Sequence, residues 1–280
     1  MRMKLPPDFF EGVGKPIVVC SHPRSGTHLT LDTLRRNFPA CRTLTRPLET
    51  VHNHYFAAEA LNLEKYRRRP QWVKKILLRG QRPLVKTHME PDLPHLVEYA
   101  GEFREWLLSE ADFIYVVRDG RSVMSSFYLF LQSFNETARC PFPEFLRGAP
   151  QEPGTHLHYW VRHVEDWKNK PGVKTIRCED MLKRTPDTLK ELAEFLGEEL
   201  VLRDPALPPK PSSRWQVRLR RLYPEADTTA ILSFYGGAKT EDWRKLFTDE
   251  DMAYFLEICA PLMEQFGYLK SGQAAEVKPG

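Results

Sequence analysis

Three short stretches carry residues whose types and spacing suit chemistry on an anion. The first is Val18-Val19-Cys20-Ser21-His22-Pro23-Arg24-Ser25-Gly26-Thr27-His28-Leu29. A β-branched run, a tight loop, and an apolar-periodic segment through Leu29, Leu31, Leu34 and Phe38 read as strand, loop and helix. Such a loop cradles anions, because the first-turn N–H groups of a helix lack partners and its dipole is positive there. Gly26 lets the backbone come close to the anion. Arg24 adds a planar guanidinium that matches a phosphate or sulfate fork. The Gly-x4-Gly-Lys-Ser/Thr spacing of nucleotide-triphosphate loops is absent. An ordinary strand–turn–helix with a solvated arginine is the alternative.

The second stretch, Leu84-Val85-Lys86-Thr87-His88, is an apolar run closing in polar residues. That is the profile of a buried parallel strand whose carboxyl end opens into a site. Imidazole titrates near neutral pH, so His88 suits a general base, and Lys86 shares its strand face by the period of two. A structural histidine at a strand end is the competing reading. The third stretch runs from the clearest strand, Phe113–Val117, into Arg118-Asp119-Gly120-Arg121-Ser122 and a helix. Arg118 there either binds a phosphate or pairs with Asp119 or Asp180.

The elements that must position these groups alternate. Residues 1–15 form an extended lead-in, Ile17–Cys20 the first strand, and Thr27 to Asn37 the first helix. Prolines break residues 39–82, within which Glu59 to Arg69 is predicted helical. Leu96 to Leu108 reads as helix, and Phe134 to Gly154 as an ordered loop rich in proline and aromatics. His156 to Lys168 reads as a helix with His156, Tyr159, Trp160 and His163 near one face, lining either an acceptor pocket or the core. Tyr128 and Phe142 share that ambiguity. Val173–Arg177 is a further strand, and Asp187 to Leu196 and Asp249 to Phe266 are helices. The fold class predicted is therefore α/β, a central parallel sheet flanked by helices, with residues 1–280 as a single domain.

Composition excludes several classes. The chain of 280 residues is long enough for a real core, and 41% hydrophobic with 28% charged residues is ordinary for a globular protein. Net charge +4 suits a small anionic ligand as well as a nucleic acid, and decides little. The basic run Arg67-Arg68-Arg69 lacks the interleaved aromatics of a nucleic-acid patch and reads as a solvated face. Five scattered cysteines form neither a CxxC pair nor a Cys/His cluster, so no metal site or disulfide framework is expected. The longest apolar run near the start, Ile17 to Cys20, is too short for a signal or a membrane span. A cytoplasmic protein with no membrane or nucleic-acid partner is expected. No pattern names an oligomeric state.

Taken together, the three stretches resemble the sulfotransferases. Pro23-Arg24-Ser25-Gly26-Thr27 is similar to that family's phosphosulfate-binding loop, Lys86-Thr87-His88 to its Lys-Thr-His motif, and Tyr115 through Ser126 to its 3′-phosphate-binding segment. Glu152-Pro153-Gly154-Thr155, His163-Val164-x-x-Trp167, Glu179-Asp180-Met181 and Phe195-Leu196-Gly197 follow in the family's order. The resemblance covers roughly residues 17–250. It implies the donor 3′-phosphoadenosine 5′-phosphosulfate (PAPS), no metal, and a small hydroxylated or phenolic acceptor. It also implies roles. Arg24, Ser25, Gly26, Thr27 and His28 hold the 5′-phosphosulfate, and Arg118 with Ser126, rather than Ser125, holds the 3′-phosphate. Lys86 donates to the bridging or sulfonate oxygens, and His88 is the base. Glu90, two residues past His88, is an alternative base.

Departures from the family pattern concern the donor. Leu29 stands where the family often has a tryptophan that stacks on adenine, so it can only pack there. The Arg-Lys-Gly clamp is replaced by Gly236-Gly237-Ala238, followed by Lys239. Arg214, Arg218 or Arg220 would compensate, or belong to a solvated basic helix. Cys178 replaces a frequent tyrosine. A kinase-like transferase is disfavoured by the missing Gly-Lys-Ser/Thr. A non-catalytic sensor of adenosine 3′,5′-bisphosphate is disfavoured by the intact Lys86/His88 pair.

Overall fold

The computed structural model describes residues 2–43, 54–134, 140–148, 155–201 and 242–270. Five parallel strands form its sheet: β1 (Ile17–Cys20), β2 (Phe56–Ala57), β3 (Leu84–Thr87), β4 (Asp112–Val117) and β5 (Val173–Arg177). Their order is β2-β3-β1-β4-β5, so β1 is central and the chain crosses over it between β3 and β4. That crossover makes the carboxyl end of β1 a topological switch point, where open α/β sheets leave a crevice. Cys20 pairs with Thr87 on one side and Tyr115 on the other, so β1 and β3 end level and β4 runs two residues further, to Val117.

The period of two divides the sheet residues between two cores. Val18, Cys20, Val85, Phe113, Tyr115 and Val117 face the larger one, with Phe103, Trp160, Trp167 and Phe255. Ile17, Val19, Leu84, Ile114, Val116 and Ile176 face the other, with Leu31 and Leu34 of α1 (Thr27–Asn37). Every β1 side chain is buried, as a central strand covered on both faces requires. Lys86 shares parity with Leu84 and pairs with Val19, so it lies on the side that α1 covers.

Among the described residues the remaining helices are α2 (Glu64–Arg67), α3 (Pro70–Leu77), α4 (Pro94–Tyr99), α5 (Gly101–Glu110), α6 (Gly120–Phe134), α7 (Phe142–Arg147), α8 (Thr155–Asn169), α9 (Cys178–Lys183), α10 (Thr185–Leu196) and α11 (Asp249–Gln265). Three helix expectations and one surface expectation change. The helix predicted over 96–108 is two helices, because buried Ala100 takes a non-helical conformation between them. Glu59 to Arg69 is a 3-10 turn, Ala58–Asn62, and the short α2. The stretch read as a loop contains α7, whose Phe142, Phe145 and Leu146 bury one face at helical spacing. The two-residue edge strand β2 and the short α9 carry too little pattern to be predicted. Arg67 is no part of a solvated face: it is buried, donates to the carbonyls of Leu61 and Asn62, and stacks on Tyr99.

Candidate active site

The loop between β1 and α1 turns back on itself through two left-handed residues, Arg24 at φ 72° and Gly26 at φ 101°. Glycine takes that conformation freely, whereas an arginine there is held by its surroundings. The Arg24 carbonyl accepts from Arg118 at 2.9 Å, its Nε donates to Ser126 Oγ at 3.0 Å, and its guanidinium lies over Phe130. Gly26 is also a close approach: a Cβ there would lie 2.6 Å from Cys178 Sγ. As the cap residue of α1 it leaves the first turn without a side-chain acceptor.

A cavity of about 290 Å³ opens over this loop. Its wall includes Arg24, Gly26, Thr27, His28 and Leu29 from the loop and α1, Lys86 of β3 and His88 just past it, Arg118 just past β4, and Ser126 of α6. Pro23, Phe127, Phe130 and Cys178 complete it. The sequence-predicted residues thus meet in one place, except Ser25. That residue is buried, lies outside the wall, and donates its N–H to the His22 carbonyl at 3.2 Å. The N–H assigned by resemblance to the anion is spent on the turn.

The structure also decides the open pairings. Asp119 is engaged by Arg121 through Nε at 3.0 Å and a second nitrogen at 2.7 Å, and Asp180 lies 3.9 Å from Arg177. Arg118 is left turned to the cavity. Ser125 donates to the Arg121 carbonyl inside α6, while Ser126 faces Arg24. Glu90 lies outside the cavity wall.

His88 has an assignable tautomer. Its Nδ1 lies 2.7 Å from the Ser21 carbonyl, which only accepts, so Nδ1 carries the hydrogen and Nε2 is left basic. Burial, and then the Lys86 ammonium, hold its pKa well below the ordinary histidine value, so the ring is neutral at neutral pH. Burial lowers Lys86, and Glu59 opposes the shift. Burial and the neighbouring Arg118 lower Arg24 to about 10, still charged at pH 7. His28 lies 2.8 Å from the Tyr55 hydroxyl through Nδ1. Burial pushes the Cys178 thiol up to about 12, so it is a packing group rather than a nucleophile.

Sequence reasoning missed Phe127 and Phe130 as wall residues, and Glu59 altogether. Glu59 Oε1 accepts from the Thr87 hydroxyl and from the His88 main-chain N–H. A lone acid in an unpatterned segment carries no signal for that. The α8 stripe splits. Trp160 and His163 are buried in the core, and Tyr159 and His156 are partly exposed and lie outside the cavity wall. Tyr128 donates to the Cys140 carbonyl and packs on Phe142, also away from the cavity. Residues 152–154, 214–221 and 236–239 lie outside the described residues. Among the described residues there is no group of three metal-ligating side chains, and no helix is long and apolar enough to cross a membrane.

A parallel sheet whose central strand feeds a glycine-bearing loop, under a cavity lined by Arg24, Lys86 and Arg118, defines a protein of α/β fold with a site complementary in charge to an anion. Residues 15–267 match the model of the sulfotransferase domain. The chain belongs to the sulfotransferase family, whose members take a sulfuryl group from PAPS. It is 27% identical over 194 residues to the 3-alpha-hydroxysteroid sulfotransferase of Cavia porcellus, covering 64% of this chain and 66% of that one. It is 27% identical over 158 residues to sulfotransferase 2A6 of Mus musculus, covering 52% and 54%. The matches thus span two thirds or less of these relatives. The crystal structure of mouse sulfotransferase SULT7A1 complexed with PAP shares the fold, with TM-score 0.53, 18% identity and coverage of 94% and 87%.

Proposed function

We propose that the cavity binds PAPS and that the protein transfers its sulfuryl group to a hydroxyl of a small acceptor by in-line displacement. One observation carries the reading: Arg24, Lys86 and Arg118 line a single cavity, and among the described residues its wall contains no carboxylate. Like charges gathered in a partly dry site repel, and a bound anion relieves that cost. When bound, PAPS supplies an activated sulfur beside a phosphate leaving group.

The chain's own residues then divide the work. Arg24 and the Gly26–His28 backbone hold the 5′-phosphosulfate, and Arg118 with Ser126 holds the 3′-phosphate. Leu29 packs against the nucleoside. Lys86 donates where negative charge grows on the leaving side. His88, neutral and protonated on Nδ1, accepts the acceptor hydroxyl's proton at Nε2. The scheme assigns no role to a metal. Phe127 and Phe130 make the wall partly apolar, and two relatives are named for hydroxysteroids. Hydroxylated apolar or phenolic molecules are therefore the acceptor class.

The test uses sulfur-labelled PAPS with a panel of phenols, sterols and aliphatic alcohols. Labelled product is expected. His88→Ala is expected to lower turnover by about 10²- to 10⁴-fold, the usual contribution of a general base. Its affinity for adenosine 3′,5′-bisphosphate should be retained. Tight bisphosphate binding with no transfer to any acceptor would instead make the protein a sensor.

A further inference from the structure

His88 stands one residue beyond the last paired position of β3, where strand pairing no longer supplies partners for its main chain. Both of its main-chain groups nevertheless end on side chains from distant parts of the sequence. Its N–H donates to Glu59 Oε1, which also accepts from the Thr87 hydroxyl at 2.9 Å. Its carbonyl lies 3.1 Å from His163 Nε2. A carbonyl only accepts, so His163 carries its hydrogen on Nε2, and its Nδ1 accepts from the Tyr115 hydroxyl at 2.9 Å. His163 is fully buried, so Tyr115 fixes its tautomer from behind. One turn further along α8, Trp167 donates to the Met89 carbonyl at 2.9 Å.

Satisfying a partly buried main chain explains the existence of hydrogen bonds here, but not the choice of partners. The other Glu59 oxygen, Oε2, is buried and has no hydrogen-bond partner among the described residues, a placement that costs stability. Glu59 is also the acid whose charge opposes the lowering of the Lys86 pKa.

We propose that Glu59 and His163 are positioning residues, which grip the His88 main chain from opposite sides so that its ring presents Nε2 to the acceptor hydroxyl. This rests on the reading of His88 as the base. Neither residue touches the reacting atoms. Both act through the imidazole, whose other nitrogen is tied to Ser21.

The test pairs disruptive with conservative substitutions. Glu59→Ala and His163→Phe are expected to lower kcat by about 10²-fold, the effect of a misplacement near 1 Å. The acceptor KM and the affinity for adenosine 3′,5′-bisphosphate should stay within about twofold. Glu59→Gln keeps an acceptor and His163→Gln keeps a donor, so each should recover most of the loss. In a His88→Ala background His163→Phe should change residual turnover by less than about twofold, and Glu59→Ala should match Glu59→Gln, which removes the same charge from beside Lys86, because the group that the grip acts through is gone. Equal losses in both backgrounds, or failure of the conservative variants to rescue, would overturn the proposal. If His163→Phe does not fold, Glu59→Ala carries the same comparison alone.

A second readout needs no turnover. Long-range ¹⁵N NMR of the His88 ring should show a single Nδ1–H tautomer in the wild type and a mixture in the two disruptive variants. An unchanged ring would overturn the grip even in an inactive protein. Absence of sulfated product from the wild type would instead count against the sulfotransferase reading.

Discussion

Replacing Gly26 by alanine tests whether the anion loop has the shape described. The residue sits at φ 101° and ψ 17°, and an added Cβ would lie 2.6 Å from Cys178 Sγ and 3.5 Å from Cys178 Cβ. Two costs follow. Forcing an L-residue into the left-handed half of conformational space costs about 1–2 kcal/mol. Overpacking a buried contact costs about 1–3 kcal/mol. Gly26→Ala is therefore expected to destabilise the protein by about 2–5 kcal/mol. Cys178→Ala alone removes one buried atom of roughly methylene size, worth about 1 kcal/mol. In the double variant the offending sulfur is gone and the remaining Cβ contact is of ordinary length, so only the backbone cost and the cysteine loss should remain. The two substitutions should thus couple favourably by about 1–3 kcal/mol. Urea unfolding followed by fluorescence measures all four corners of the cycle, with the midpoint moving and the slope unchanged. A Gly26→Ala variant as stable as wild type, or a double variant whose losses merely add, would refute the loop geometry.

Two further outcomes follow from the charges. Arg118→Ala removes a charge-assisted donor worth about 1.5–3 kcal/mol, so calorimetry should show adenosine 3′,5′-bisphosphate binding about 10- to 100-fold more weakly. Adenosine 5′-monophosphate, which lacks the 3′-phosphate, should lose little; an equal loss for both would remove Arg118 from the 3′ site. For pH, the base must be unprotonated, and falling pH removes it. Burial, Lys86, His28 and His22 lower the His88 pKa, while its bond to Ser21 raises it, with a net downward shift. The acid limb of kcat/KM, which reports the free enzyme, should accordingly fall below pH 6.5. A limb at or above 6.5 would mean that another group is the base.

The residues that handle charge were legible because their chemistry is local. Lys86, His88 and Arg118 stand at or just past the end of a strand, and Arg24 and Gly26 in the loop that follows one; each strand's hydrophobic run is readable in a few residues, and parallel strands open at one shared edge. The α/β class and the first helix, Thr27 to Asn37, followed from the same periodicity. Ser25 was placed in the cradle by resemblance alone, and turn geometry took its N–H instead. The apolar spacing over 96–108 runs unbroken across Ala100, and only the backbone shows the break there.

By itself, the order of residues determined which side chains could bind an anion and move a proton, because charge and acid–base character belong to single residues. Only the tertiary structure decided which of them meet. It brought Arg118 to the Arg24 carbonyl rather than to Asp119, put Ser126 beside Arg24 while Ser125 bonds within its helix, and set Glu59 and His163 on a main chain 29 and 75 residues away. Hydrogen bonds at such separations depend on how sheet and helices pack, and local propensity holds no record of that packing.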